Sequence, residues 1–237
     1  METKAPQIIY YTSEFGPLTH VELCQLTGMH PNSLWRSLPK LVSEGSLYCK
    51  KQGWGRPNVY ATYDIRKRQS YTLEHDIARA RVGAALKATN LLTYWRIVRH
   101  KQPKEKSVNE DGRFELSVEV NDKVASFSYW LEVDTGTEGY GQLEDKFERY
   151  MLLFEKEHGQ ALFVVKPDPE KPKRTDPATL AALAEKYIQY TKPDTHKKLL
   201  FVDLNELGAN PLGPIVYTAH STERCHLLPQ ELLNLIQ

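Results

Sequence analysis

LEVDTGTEGYGQLEDKFERY, residues 131–150, decides how this chain is to be read. An apolar run ends there on Glu132 and Asp134. A glycine-bearing turn follows, and then a helical pattern that carries Lys146. Residues two apart on a strand point to the same face, so the two carboxylates share one side of a strand end. Immediately upstream, RFELSVEV (113–120) and VASFSYWLEVD (124–134) are separated by NDK. Asn-Asp is turn chemistry, so these runs form a hairpin. Antiparallel pairing sets the start of one strand beside the end of the other. Asp111 therefore falls near Glu132 or Asp134.

Downstream, QLEDKFERYMLLFEKEHG spaces Leu143, Phe147, Tyr150, Met151 and Phe154 along one helix face, with Gly159 to close it. ALFVVK is a short apolar strand suited to a sheet covered on both faces. DPATLAALAEKYIQYT reads as another helix, and KKLLFVDL and GPIVYTA as further strands. A hairpin joined to strand–helix–strand units makes a mixed α/β sheet with helices on its faces. Directly after ALFVVK, KPDPEKPKRTDP (166–177) combines prolines and charges and reads as a loop close to disorder.

Ahead of the hairpin, Leu73, Ile77, Ala80, Ala84 and Leu91 share one face of a helix, flanked by Glu74 and Asp76. A charged loop, RHKQPKEKSVNEDG, then leads into the hairpin. The first 66 residues have a different layout. Thr19 caps a short helix with Val21, Leu23 and Leu26 on its apolar side, and Gly28 ends it. Asn32 or Ser33 caps a second helix with Leu34, Leu38, Leu41 and Val42 on one face, stopped by Gly45. Pro39 inside that helix predicts a kink or an early end. SLYCK and NVYATYD then form a hairpin around KQGWGRP.

Helix, turn, helix and basic hairpin is the layout of a winged helix-turn-helix, in which the second helix enters the major groove and the wing follows the phosphates. The DNA-contact candidates are Asn32, Ser33, Arg36, Ser37 and Lys40 on the helix, with Lys50, Lys51, Trp54 and Arg56 on the wing. The expected division is 1–66 for this unit and 67–237 for the α/β domain.

Composition bounds the rest. The 237 residues are 41% hydrophobic and 26% charged, with a formal net charge of +1, so any basic footprint is local. Cys24, Cys49 and Cys225 form no CxxC pair, which argues for a reducing compartment and against structural zinc. His75, His100, His158, His196, His220 and His226 share no zinc-like spacing and read as surface residues. No run approaches the about 20 apolar residues that span a bilayer, and METKAPQIIYYTSEFG lacks a charged-then-apolar signal layout. The expectation is a cytoplasmic protein without a membrane partner.

The carboxylates admit two readings. Hard divalent cations take oxygen ligands, so Asp111 and Glu132 suit Mg²⁺ or Mn²⁺, with Lys146 stabilising charge on a phosphoryl group. Alternatively the acids are a polar exit from a core, and Thr135–Glu138 is a turn that caps the helix.

The succession Asp111-Gly112-Arg113-Phe114-Glu115-Leu116, then Leu131 to Glu138, then Leu143, Lys146 and Tyr150, resembles the replication-relaxation family of plasmids and other mobile elements. That resemblance implies a winged helix followed by a domain similar to the PD-(D/E)XK nuclease core. Carried over by position, it implies Glu74 as the helix acid, Asp111 and Glu132 as metal ligands, and Lys146 as a catalytic lysine displaced to the following helix. Two positions depart from that core: Glu110 stands where a proline would precede the aspartate, and Asp134 stands where a lysine would follow Glu132.

Three functions are consistent with these residues. The first is a DNA-binding protein of a mobile element, working in replication, mobilisation or DNA processing with other proteins of those pathways. The second is a metal-dependent DNA endonuclease using Asp111, Glu132, Asp134 and Lys146. The third is a transcriptional regulator with a sensing or dimerisation domain. Paired winged helices suit palindromic sites, so a homodimer is expected.

Overall fold

A computed structural model describes residues 4–98, 110–154, 156–188, 199–219, 221 and 223–236. The expected charged loop after residue 98, and His100, His196 and His220, lie wholly or largely outside them. The chain divides into two compact units, Met1–Ala88 and Thr89–Gln237. The helix that the sequence assigns to the second domain falls, by its packing, in the first unit.

The first unit runs α1 (Ala5–Glu14), β1 (Leu18–Thr19), α2 (His20–Thr27), α3 (Pro31–Ser43), β2 (Tyr48–Lys50), β3 (Val59–Ala61) and α4 (Ser70–Ala88). Thr19 caps α2 in a reciprocal box with Glu22, and Gly28, at φ 61°, ends it. Of the expected apolar stripe, Leu23 is buried, but Val21 is 66% exposed, because α2 is too short to bury more than one edge. The cap of α3 is His30, not Asn32 or Ser33: its ring nitrogen accepts from Asn32 N, and Pro31 starts the helix where no N–H is needed. Leu34, Leu38 and Leu41 are buried as their spacing requires.

Pro39 does not end α3, which continues to Ser43. Pro39 is exposed, so the carbonyl its ring leaves without a helical partner is on the solvent side, and the buried leucine stripe carries the helix through. Gly45, at φ 75°, then turns the chain, with Ser46 N reaching back to Leu41 O. The three strands form an antiparallel sheet in the order β1-β3-β2. Val59, Ala61, Ile65 and Leu73 make a buried cluster that ties β3 to α4. Helix α4 stops at Ala88, so Leu91 lies beyond its face.

The second unit is built on a six-stranded sheet, ordered β4 (Leu92–Ile97), β5 (Gly112–Val120), β6 (Lys123–Asp134), β7 (Gln160–Val165), β8 (Leu199–Asp203), β9 (Tyr217–Thr218). The hairpin β5–β6 turns on Asn121 and Asp122, at φ 51° and 60°, the left-handed pair of a tight two-residue turn. From β6 the chain passes through α5 (Tyr140–Phe154) to parallel β7, then through α6 (Pro177–Ile188) to parallel β8. Each crossover steps one strand in the same direction. Right-handed connections then place both helices on one face of the sheet.

That face is the core: Phe147, Tyr150 and Phe154 from α5 and Leu180 and Ala184 from α6 pack on Trp130, Phe163 and Phe201. Each such aromatic or leucine contributes about 1.5–3 kcal/mol through burial. Gly159 follows α5 at φ 151° with Trp130 against it; a Cβ there would sit 2.2 Å from the indole ring. On the opposite face Phe114 stacks on Tyr129 with ring centres 4.6 Å apart, and the Tyr129 hydroxyl donates to Leu227 O at 2.5 Å. Strand β4 and two short helices, α7 (Leu204–Ala209) and α8 (Gln230–Ile236), complete the unit and were not anticipated. All three are too short to show a period.

Candidate functional site

The C-terminal end of β6 gathers the charged residues of the second unit. Register places Gly112 opposite Leu131, so Asp111 enters the hairpin level with the following residue, Glu132. Its backbone N–H donates to Leu131 O, and its carboxylate replaces a backbone acceptor by taking Val133 N at 2.7 Å. Asp111 is thus built into the end of the ladder. It is 5% exposed.

Glu132 points to the α5 side of the pleat and is 1% exposed. Lys146 and Tyr150, one turn apart on α5, hold its two oxygens: Lys146 Nζ donates to Oε2 at 2.7 Å and Tyr150 OH to Oε1 at 2.8 Å. Lys146 also reaches Glu138 Oε1 at 2.7 Å. Burial pushes the Glu132 carboxyl up to about 7, the nearby Asp111 charge adds to that, and Lys146 and Tyr150 oppose it. Burial alone would depress Lys146, but Glu132, Glu138 and Asp111 overcome it and hold the ammonium charged. Tyr150 is raised by burial and by Glu132, so its phenol stays protonated.

Asp134 shares the face of Glu132 but has other partners. Gly136 N donates to one oxygen at 2.8 Å and Arg174 Nη1 to the other at 2.6 Å. The remaining Arg174 donors close on Glu138 O at 2.6 and 2.8 Å. The segment expected to be near-disordered, 166–177, is instead a strap across this edge. Thr175 is 3% exposed, and its hydroxyl ties Asp168 N and Lys171 O together. Lys171 reaches Gly136 O at 3.3 Å. The prolines that argued for disorder stiffen the strap, while Arg174 and Thr175 anchor it.

The structure therefore brings Asp111, Glu132 and Lys146 together, and links Asp134 to Arg174. Glu74 pairs with Arg56 at 3.2 Å within the first unit. As arranged, the acids form a salt-linked cluster. Among the described residues, no three His, Cys, Asp or Glu side chains are grouped to hold a metal ion. Arg174 was missed in the sequence because its partner lies 40 residues away. Tyr150 was read as core, and its helical spacing from Lys146 was the available signal of a shared target.

The nucleic-acid candidates of the first unit stand differently. Asn32, Ser33, Arg36 and Lys40 are exposed on α3, and Ser37 is half-buried with its hydroxyl on Ser33 O. On the hairpin, Lys51, Trp54 and Arg56 are exposed, whereas Lys50 is half-buried and donates to Arg68 O at 2.7 Å. Trp35, unremarked in the sequence, is 51% exposed and stacks on His20 at 4.6 Å.

The segment from Lys50 to Val165 matches the replication-relaxation family model. Over that span the chain is similar to the replication-relaxation family. No curated protein matches it. The matched span holds Asp111, Glu132, Lys146 and Tyr150, and leaves out α1 to α3 and Arg174. No helix among the described residues is long and apolar enough to cross a membrane.

Proposed function

We propose that this protein, through its likeness to the replication-relaxation family, acts in replication or mobilisation of a mobile element, binding DNA with its first unit, a winged helix, and that its second unit is a nuclease-like core. One observation carries the reading: the order α1-β1-α2-α3-β2-β3, with a three-stranded sheet, leaves α3 and the β2–β3 loop presenting cations to solvent. A groove of about 750 Å³ runs beside α3, with Lys4, Arg36 and Lys40 on its lining together with Glu44 and the apolar Ala5, Met29 and Leu41. Phosphates suit the exposed cations Arg36, Lys40 and Lys51, and base edges suit Asn32 and Arg36. A dimer on a palindromic site and contacts with other replication or mobilisation proteins extend the same reading.

Fluorescence anisotropy on labelled duplex DNA, from about 50 to about 200 mM salt, tests it. Arg36→Ala and Lys51→Ala should each weaken binding and each lower the slope of log affinity against log salt by about one. Unchanged affinity and slope in both variants would overturn the assignment.

A second reading, metal-dependent cleavage, is favoured by the convergence of Asp111, Glu132 and Lys146. Asp111 and Glu132 would hold Mg²⁺ or Mn²⁺, with water and phosphate oxygens as the other ligands. The ion would polarise a phosphoryl oxygen there. Both Glu132 oxygens already accept hydrogen bonds, so Lys146 or Tyr150 must share an oxygen with it. Nicking of supercoiled plasmid with Mg²⁺ or Mn²⁺, lost in Asp111→Asn, supports this reading. Intact plasmid with either metal sinks it.

A further inference from the structure

The tryptophans of this chain differ sharply in surroundings. Trp95 and Trp130 are buried, and Trp35 lies on His20, while Trp54 stands fully in solvent. It occupies the tip of the loop between β2 and β3, whose base is fixed by the pairing of Lys50 with Val59. Gly53 and Gly55 flank it at φ 102° and 75°, conformations that side chains other than glycine's rarely adopt. A Cβ at either glycine would meet nothing within 4 Å, so neither is there to admit a neighbour. Their use is conformational: they project the indole outward. Lys51 and Arg56, both exposed, stand on either side of this turn, Arg56 with one guanidinium nitrogen on Glu74 at 3.2 Å in a pair open to solvent.

A bare aromatic plane between two cations fits a ligand with π faces spaced along an anionic backbone, which is nucleic acid. A protein docking site would show a contiguous apolar patch around the indole, whereas its neighbours are glycine, lysine, glutamine and arginine. We propose that Trp54 is a wedge that enters a base step of bound duplex DNA, so that the protein favours DNA whose stacking is already weakened. This rests on the DNA-binding reading above and adds the class of DNA preferred.

Unstacking one step opposes entry of the wedge, and a mismatch removes much of that cost. Two labelled duplexes, one fully paired and one with a single mismatched step, are compared by anisotropy. The wild-type chain should bind the mismatched duplex at least about tenfold more tightly. Trp54→Ala should bind both equally, with an unchanged salt slope because the phosphate contacts remain, and Trp54→Phe should keep part of the preference. A preference that survives Trp54→Ala, or a wild type with no preference, overturns the wedge and leaves DNA binding standing. Failure of the wild type to bind either duplex removes both readings. An indole emission shift, absent in Trp54→Phe, that appears on anionic vesicles or on raising protein concentration, and not on DNA, would assign the tip to lipid or to a second copy instead. Since Trp54 makes no buried contact, thermal melts of both variants should match the wild type.

Discussion

Arg36, Lys40 and Lys51 in the first unit stand in solvent, whereas Glu132 and Asp134 in the second are almost removed from it and Lys146 is half-buried. The first group has side chains long enough to reach a partner and little packing to hold them. The second has paid for its position with desolvation and recovers it through short bonds to Tyr150, Arg174 and backbone amides. Exposed cations add little to folding and much to association with a polyanion. Buried ion pairs do the reverse when one partner is removed. The contrast teaches that charge in this protein serves recognition at one end and architecture at the other.

Lys146→Met should show the largest effect. It removes the cation that holds the Glu132 carboxyl down, so that carboxyl stays protonated at neutral pH, buried with one hydrogen bond fewer, and Glu138 loses the same partner, at about 3 kcal/mol in urea unfolding. A Lys146→Met, Glu132→Leu double variant should recover most of the loss, because apolar groups of similar volume suit that core. A single variant as stable as wild type would break the comparison. Arg174→Ala comes next, at about 2 kcal/mol, since Asp134 keeps only the Gly136 amide. It should also open the 166–177 strap to protease, and an unchanged cleavage pattern would remove the strap's anchoring role.

A smaller effect follows from pH. The Glu132 carboxyl titrates near 7 in the folded chain and near its ordinary 4.5 when unfolded. Between these values the native state binds more protons, so stability should fall as pH rises through the window. Glu132→Gln should flatten that part of the pH–stability profile, measured by urea midpoints at several pH values. A wild-type profile that is flat or rises there, with Glu132→Gln identical, contradicts the burial argument. Smallest of all, Arg36→Ala and Lys51→Ala should change stability by no more than about 0.5 kcal/mol while weakening DNA binding. A large loss of stability in either would erase the contrast between the units.

Much of this was legible one element at a time. The apolar spacing of α5 named its five buried residues, and Asn121-Asp122 named the hairpin. The alternation at Glu132 and Asp134 named the edge where charge collects. Short elements escaped, as β4, α7 and α8 show, because six or seven residues carry too little period. Pro39 misled because local propensity argued for a break, while three buried leucines outweighed one missing hydrogen bond.

Taken alone, the sequence determined most of the longer helices and strands of the sheet unit, which of their faces are apolar, and that acids cluster at one strand end. Those follow from periodicity and turn chemistry, which act over a few residues. Only the tertiary structure decided who neutralises whom: Glu132 by Lys146 and Tyr150, and Asp134 by Arg174 from a strap that read as disorder. Partners of a buried charge are chosen by desolvation and geometry across the whole fold, and nothing in local spacing encodes that choice.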